Sequence, residues 1–107
     1  MAITCAENKY TAEFDRRFGR AACFCLFDEI SGITQFVENN SSGETEGIGT
    51  RAAERMAGLG INKIISGDFG PKAMELLNKF DIQMVILQTD SITVQEILDK
   101  LKNKTIN

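Results

Sequence analysis

Histidine is missing from this chain of 107 residues, tryptophan is missing too, and there is a single proline. Without an imidazole, no Ser-His or Cys-His nucleophilic pair can be assembled, and histidine ligation of a metal or cluster is excluded. Long apolar runs are lacking as well: nothing approaches the roughly 20 residues of a membrane span, and no basic segment followed by an apolar one opens the chain. The expectation is a soluble, cytoplasmic protein. Cysteine is scarce, at three residues, so the thiols cannot all pair, and Cys23 and Cys25 stand too close for an easy bridge, which suits a reducing compartment. An excess of positive charge is also absent. With a net charge of −3 there is no electrostatic footprint for nonspecific nucleic-acid binding.

What the chain does have is glycine at the starts of helices. Ser66-Gly67-Asp68-Phe69-Gly70-Pro71-Lys72 follows the apolar run 61–65, and Pro71 suits the first position of a helix. Gly43-Glu44-Thr45-Glu46-Gly47-Ile48-Gly49-Thr50-Arg51 opens another helix in the same manner. Such turns leave amide N–H groups unpaired at a positive helix end, a place that can hold an anion.

Periodicity predicts strands at 2–6, 22–27 and 33–38, then a helix carrying Ile48, Ala52, Met56 and Leu59 that stops at Gly60. A short strand follows at 61–66, a helix with the stripe Ala73, Leu76, Leu77 and Phe80, a strand at 82–87, and a last helix with Val94, Leu98 and Leu101 on one face. Thr93 and Glu96 form a capping box ahead of that helix. The segment 39–46 reads as a flexible insert, and the whole chain, 1–107, as one domain large enough to bury roughly 65% of its unfolded surface. The order βββαβαβα predicts a mixed sheet: a meander followed by right-handed crossovers. Counting strand directions sends the loops 7–21, 39–49, 67–71 and 88–92 to one edge, beyond the carboxyl ends of the parallel strands, where open α/β sheets bind ligands. Cys5, Cys23 and Cys25 also lie toward that edge.

Phe18-Gly19-Arg20-Ala21 before a strand, Gly47-x-Gly49 opening a helix with Ala52-Ala53-Glu54, and Gly67-x-x-Gly70-Pro71-x-Ala73 resemble the dinitrogenase iron-molybdenum cofactor biosynthesis family, the domain type of NifX, NafY and the C-terminal part of NifB. The resemblance runs from Met1 to about Leu101. It implies a ribonuclease-H-like three-layer α/β/α fold, with a five-stranded mixed sheet of order 3-2-1-4-5 and strand 2 antiparallel. It implies a small non-enzymatic carrier of an iron-molybdenum or other metal-sulfur cofactor, with cofactor-assembly proteins as possible partners. The chain departs from the family at two positions, where members often carry histidine: here stand Arg17, before Phe18-Gly19, and Glu46, before Gly47.

The candidate cofactor-binding residues are therefore Arg17, Phe18, Gly19, Arg20, Glu46, Gly47, Gly49, Arg51, Gly67 and Gly70, and the candidate metal ligands are Cys5, Cys23 and Cys25. Each carries two readings. Cys23 and Cys25 are alternate residues of one strand, about 6.5–7 Å apart, too far to share one Zn²⁺ but able to touch different atoms of a larger cluster. As free cysteines among Ala22, Phe24 and Leu26 they equally suit core packing, and the same holds for Cys5 beside Ile3. Arg16, Arg17, Arg20, Arg51 and Lys72 would make a positive site for a polyanion, yet Glu7, Glu13, Asp15, Glu44, Glu46 and Asp68 share those loops, and mixed charge there also serves solvation. The glycines either present amides to a ligand or only make the connections. A two-metal nuclease would need carboxylates from the first strand, and none is there; Glu7, Glu54 and Asp68 are the nearest. The leading expectation is a carrier of an anionic metal-sulfur species. The alternative is a family member without a metal role that binds a small anion or a protein partner.

Overall fold

A computed structural model describes residues 1–39, 47–89 and 91–106, the side chains of 103–106 excepted. Glu46, together with Gly43, Glu44 and Thr45 of the second glycine-rich stretch, lies outside the described residues. Strands β1 (Ala2–Cys5), β2 (Cys23–Phe27) and β3 (Thr34–Glu38) form an antiparallel meander. Helix α1 (Ile48–Gly58), β4 (Lys63–Ser66), α2 (Pro71–Lys79), β5 (Gln83–Ile86) and α3 (Val94–Ile106) follow. The sheet order is β3-β2-β1-β4-β5, with β4 parallel to β1 and β5 parallel to β4. This is the mixed sheet, with an antiparallel second strand, that the direction count and the family resemblance implied.

Alternation along the central strands splits the core into two layers. Ile3, Cys5, Cys23, Cys25, Phe27 and Ile65 face α3 and pack on Val94, Ile97 and Leu98. Ala2, Phe24, Leu26 and Ile64 face the other helices, meeting Ala52, Ala53 and Met56 of α1 and Ala73 and Leu77 of α2. Met56 and Leu77 are fully buried, each stabilising the layer by about 1.5–3 kcal/mol. No helix among the described residues is long and apolar enough to cross a membrane.

Helix ends follow local chemistry. Pro71 opens α2. The capping box before α3 is formed: the Thr93 amide and hydroxyl both reach Glu96 Oε1 at 3.1 Å, and the Glu96 amide donates back to Thr93 Oγ1 at 3.2 Å. At the end of α1, Gly60 (φ 76°) donates to Ala57 and Ile61 donates to Met56, a Schellman arrangement. Helix α2 ends in the same way without a glycine: Asp81 takes φ 58°, its amide bonds Asn78, and the Ile82 amide bonds Leu77. Small departures from expectation have simple causes. Each strand is one or two residues shorter than its apolar run; at β3 and β4 this is because Ile33 and Ile61 belong to the turns that lead in. Phe80 lies just past the last turn of α2 and is half-exposed rather than part of its buried stripe.

Candidate functional site at the carboxyl edge

Residues 15–21 cross the top of β1 and β4 and gather the glycine motifs. The carbonyl of Arg16 accepts the amides of both Gly67, at 3.0 Å, and Asp68, at 2.5 Å, while the Phe18 amide donates to the Asp68 carbonyl at 3.0 Å. The segment thus pairs like a short extra strand beyond β4. Gly67 is required by that approach, since a β-carbon there would stand 2.6 Å from Arg16 Cβ. Two fully buried hydroxyls hold the segment from beneath. Thr4 Oγ1 donates to the Asp15 carbonyl and lies 2.8 Å from Ser66 Oγ, which reaches the Arg16 carbonyl at 3.4 Å.

Phe18 then enters the core, its ring centroid 5.2 Å from that of Phe69 and 6.0 Å from that of Phe24. This sets the Gly19 backbone directly on the start of α1. A β-carbon at Gly19 would lie 3.0 Å from the Gly49 nitrogen, and one at Gly49 would lie 3.2 Å from Ala73 Cβ of α2. The turn 18–21 is clamped by Asn39, whose buried Nδ2 donates to the carbonyls of Gly19 (2.9 Å) and Ala21 (2.8 Å). Gly47 and Gly70 serve differently, through positive φ values of 66° and 77° at the helix starts.

The structure therefore brings Arg17, Phe18, Gly19, Arg20, Gly47, Gly49, Arg51, Gly67 and Gly70 to one edge, as the direction count required. It also decides what their amides do. Those of Gly67 and Asp68 are spent on Arg16 and are not offered to a ligand. The first intrahelical donors are Arg51, to the Gly47 carbonyl, and Met74, to the Gly70 carbonyl, which leaves the amides ahead of them outside the helical ladder. Arg20, Arg51 and Lys72 are exposed beside these two helix starts.

Arg17 is differently placed. It makes a two-pronged ion pair with Asp15, Nε to Oδ1 at 3.1 Å and Nη2 to Oδ2 at 2.9 Å, so its charge is largely compensated. Burial would push the Asp15 carboxyl up, but the hydrogen bonds from the Arg17 side chain and amide outweigh it and hold the group below its ordinary value. Arg16 reaches Gln88 Oε1 at 3.3 Å, and Gln88 Nε2 donates to the Gly67 carbonyl at 3.0 Å, which ties the loop after β5 into the same edge.

The cysteines sit on the opposite face of the sheet. Cys5 is registered directly against Cys23, Cys25 against Ile3, and all three are buried in the α3 layer. Burial, then the neighbouring Cys25 and Cys23, pushes the Cys5 thiol up to about 12; burial pushes Cys25 up to about 11; Cys23 is raised by burial and by Glu38 and Glu7. Burial thus favours the protonated thiol at all three positions, and all three are packed as core residues are. Among the described residues no group of three or more histidine, cysteine, aspartate or glutamate side chains is placed to hold a metal ion. The donors described at the glycine edge, cationic side chains and first-turn amides, are of the kind that hold an anion by charge and hydrogen bonds.

Thr4, Asp15, Asn39, Ser66 and Gln88 hold this edge together, and none of them was among the candidate site residues. A signal existed for one of them: Thr4 stands among the apolar residues Ala2, Ile3 and Cys5 of the first strand. Asn39 read as the start of an insert, whereas it is a buried clamp.

Similar proteins carry the same architecture. The apo form of the orange protein from Desulfovibrio gigas superposes with a TM-score of 0.86 at 27% identity, over 96% of this chain and 86% of that one. A NifB-like protein from Thermotoga gives a TM-score of 0.80 at 25% identity, over 95% and 85% of the two chains. The uncharacterized protein MJ0580 of Methanocaldococcus jannaschii is 31% identical over 78 residues; the match covers 70% of this chain but 66% of that protein, just under two thirds of its length. The sequence pattern described as dinitrogenase iron-molybdenum cofactor spans residues 1–104, and with its glycine motifs interlocked at a single edge the chain belongs to that family.

Proposed function

We propose that this protein is a non-enzymatic carrier that holds an anionic metal-sulfur cofactor or precursor, of the iron-molybdenum type, at the edge where residues 15–21 meet the starts of α1 and α2. The observation that carries this reading is the convergence of two helix N-termini and the exposed cations Arg20, Arg51 and Lys72 on a protein that is acidic overall. Such a site attracts a polyanion without ligating its metal. The first-turn amides of α1 and α2 supply hydrogen bonds, Arg20 and Arg51 supply charge, and Cys5, Cys23 and Cys25 stay in the core.

Anaerobic reconstitution with iron, molybdate and sulfide, followed by desalting and elemental analysis, tests it. Wild-type protein is expected to retain metal, the variant with all three cysteines replaced by alanine to retain as much, and the Arg20→Ala/Arg51→Ala double variant to lose most of it in a salt-dependent manner. Retention that survives the arginine changes and fails in the cysteine variant would transfer the role to the thiols. The absence of histidine favours a second reading, in which a family member without a metal role binds a simpler anion or a protein partner. Failure of the wild type to retain any metal supports that reading.

A further inference from the structure

The two edges of the sheet are finished differently. On β3, Gln35 and Glu38 are exposed, and the Arg55 guanidinium donates to the Glu38 carbonyl, so the edge carries polar side chains and a capped acceptor. On β5 the one exposed polar side chain is Gln83, and among the described residues no charged side chain lies within the strand. In a parallel ladder the N–H and C=O of one residue point to the same side and successive residues alternate. Gln83 donates to Asn62 and Leu87 to Ser66, each at 2.9 Å, so the odd-numbered residues face β4. Met84 and Ile86 therefore turn their amides and carbonyls outward, and among the described residues β4 is the one strand β5 pairs with.

The side chains at this edge are equally unguarded. Gln83, Met84, Val85, Ile86 and Leu87 include no charge, no proline and no glycine. Ile86 is 55% exposed and, by alternation with Ile82 and Met84, lies on the α2 face of the sheet. Helix α2 runs antiparallel to β5, which brings Met74, 40% exposed in its first turn, to the same end. An edge strand with outward-facing backbone groups and uncharged, mostly apolar side chains is a template for another strand.

We propose that β5 pairs with β5 of a second copy of this chain, antiparallel and across a two-fold axis at Val85, which joins two five-stranded sheets into one. The second copy is favoured by self-complementarity. With the axis at Val85, Met84 stands opposite the partner's Ile86, and the outward amides and carbonyls of these two residues exchange hydrogen bonds in both directions. Apolar side chain meets apolar side chain on the α2 face, and Gln83 meets the partner's Leu87, so no like charges are opposed. Because the partner strand runs the opposite way, the two glycine edges point to opposite ends of the assembly and both stay open.

Sedimentation velocity of the full chain from low-micromolar to millimolar concentration tests the pairing, with amide exchange at Met84 and Ile86 as the second measurement. A dimer is expected, with those two amides protected at high concentration and exchanging freely on dilution. Ile86→Lys places a charge in the joint, and Ile86→Pro removes an outward donor while leaving the bonds from Val85 and Leu87 to β4 in place. Each should weaken dimerisation at least about tenfold while circular dichroism stays that of the folded chain. Gln35→Lys on the other edge should change nothing. A chain that stays monomeric throughout, or a dimer indifferent to both Ile86 variants, overturns the proposal. The measurement needs no ligand, so its outcome is separate from that of metal retention.

Discussion

Gly19 and Gly49, 30 residues apart in the chain, lie with their backbones in contact: a side-chain carbon on Gly19 would stand 3.0 Å from the Gly49 nitrogen and 3.1 Å from its Cα. Neither neighbour can yield, since both are main chain held at a helix start. Gly19→Ala should therefore cost about 1–3 kcal/mol, the usual range for overpacking. Gly67→Ala, facing Arg16 Cβ at 2.6 Å and its Cα at 3.1 Å, should cost at least as much. Urea midpoints measure both. A variant as stable as the wild type would mean that the interlock of the motifs is looser than drawn.

Asn39 satisfies two carbonyls that are otherwise enclosed. Asn39→Ala leaves the Gly19 and Ala21 acceptors without their donor and should destabilise the fold by about 1–3 kcal/mol. Asn39→Asp should be worse at neutral pH, because a carboxylate there faces two carbonyl oxygens with nothing to donate. If the aspartate variant proves the more stable of the two, the amide is not the clamp.

Asp15 makes stability depend on pH at the acid side. Its carboxyl is held below its unfolded value of 3.8, so the contribution is fully present above that value and is lost as pH falls through the lower, folded one. Asp15→Asn should flatten the loss of stability on acidification in that window and leave the profile near neutrality parallel to the wild type. The group is partly open to solvent, so the effect is modest. Denaturant titrations at several pH values between neutral and strongly acid would show it, and an unchanged acid limb in the variant would remove Asp15 from the account.

Thiol chemistry reports the placement of the cysteines. Buried and raised to about 12 and 11, Cys5 and Cys25 should react with a disulfide reagent only through unfolding, with Cys23 scarcely faster. All three should react promptly in denaturant. Rapid labelling of the native protein would place at least one thiol at the surface.

Asp81 holds φ 58° at the end of α2, a conformation that costs a non-glycine residue about 1–2 kcal/mol and aspartate somewhat less. Asp81→Gly should raise stability by about 0.5–1 kcal/mol in thermal unfolding. A lower melting temperature would mean that the aspartate side chain compensates locally.

Much of this molecule follows from neighbours in the chain. The period change after residue 38, Pro71 at the first position of α2, the Thr93–Glu96 box and the Gly60 stop are governed by interactions within four or five residues, and each element they predict is present. Strand directions could be counted from element order, because consecutive elements pack beside one another and crossovers are right-handed. The family motifs were legible as well, but their physical role was not. Gly49 and Gly67 read either as turns that present amides or as plain connections, and Gly19 only as part of a family motif; that their lack of a side chain answers to Ala73, Arg16 and Gly49 respectively, contacts across 24 to 51 residues of chain, no local pattern encodes. The same limit hid Asn39, whose partners lie 18 and 20 residues back, and Asp81, which takes a conformation usually left to glycine. Direction counting placed Cys5 and Cys23 at the correct end of the sheet, whereas Cys25 lies in mid-strand opposite Ile3. That they face α3, on the side of the sheet opposite α1 and α2, and are buried there was decided by which helix crosses over which face, a choice made when the layers pack.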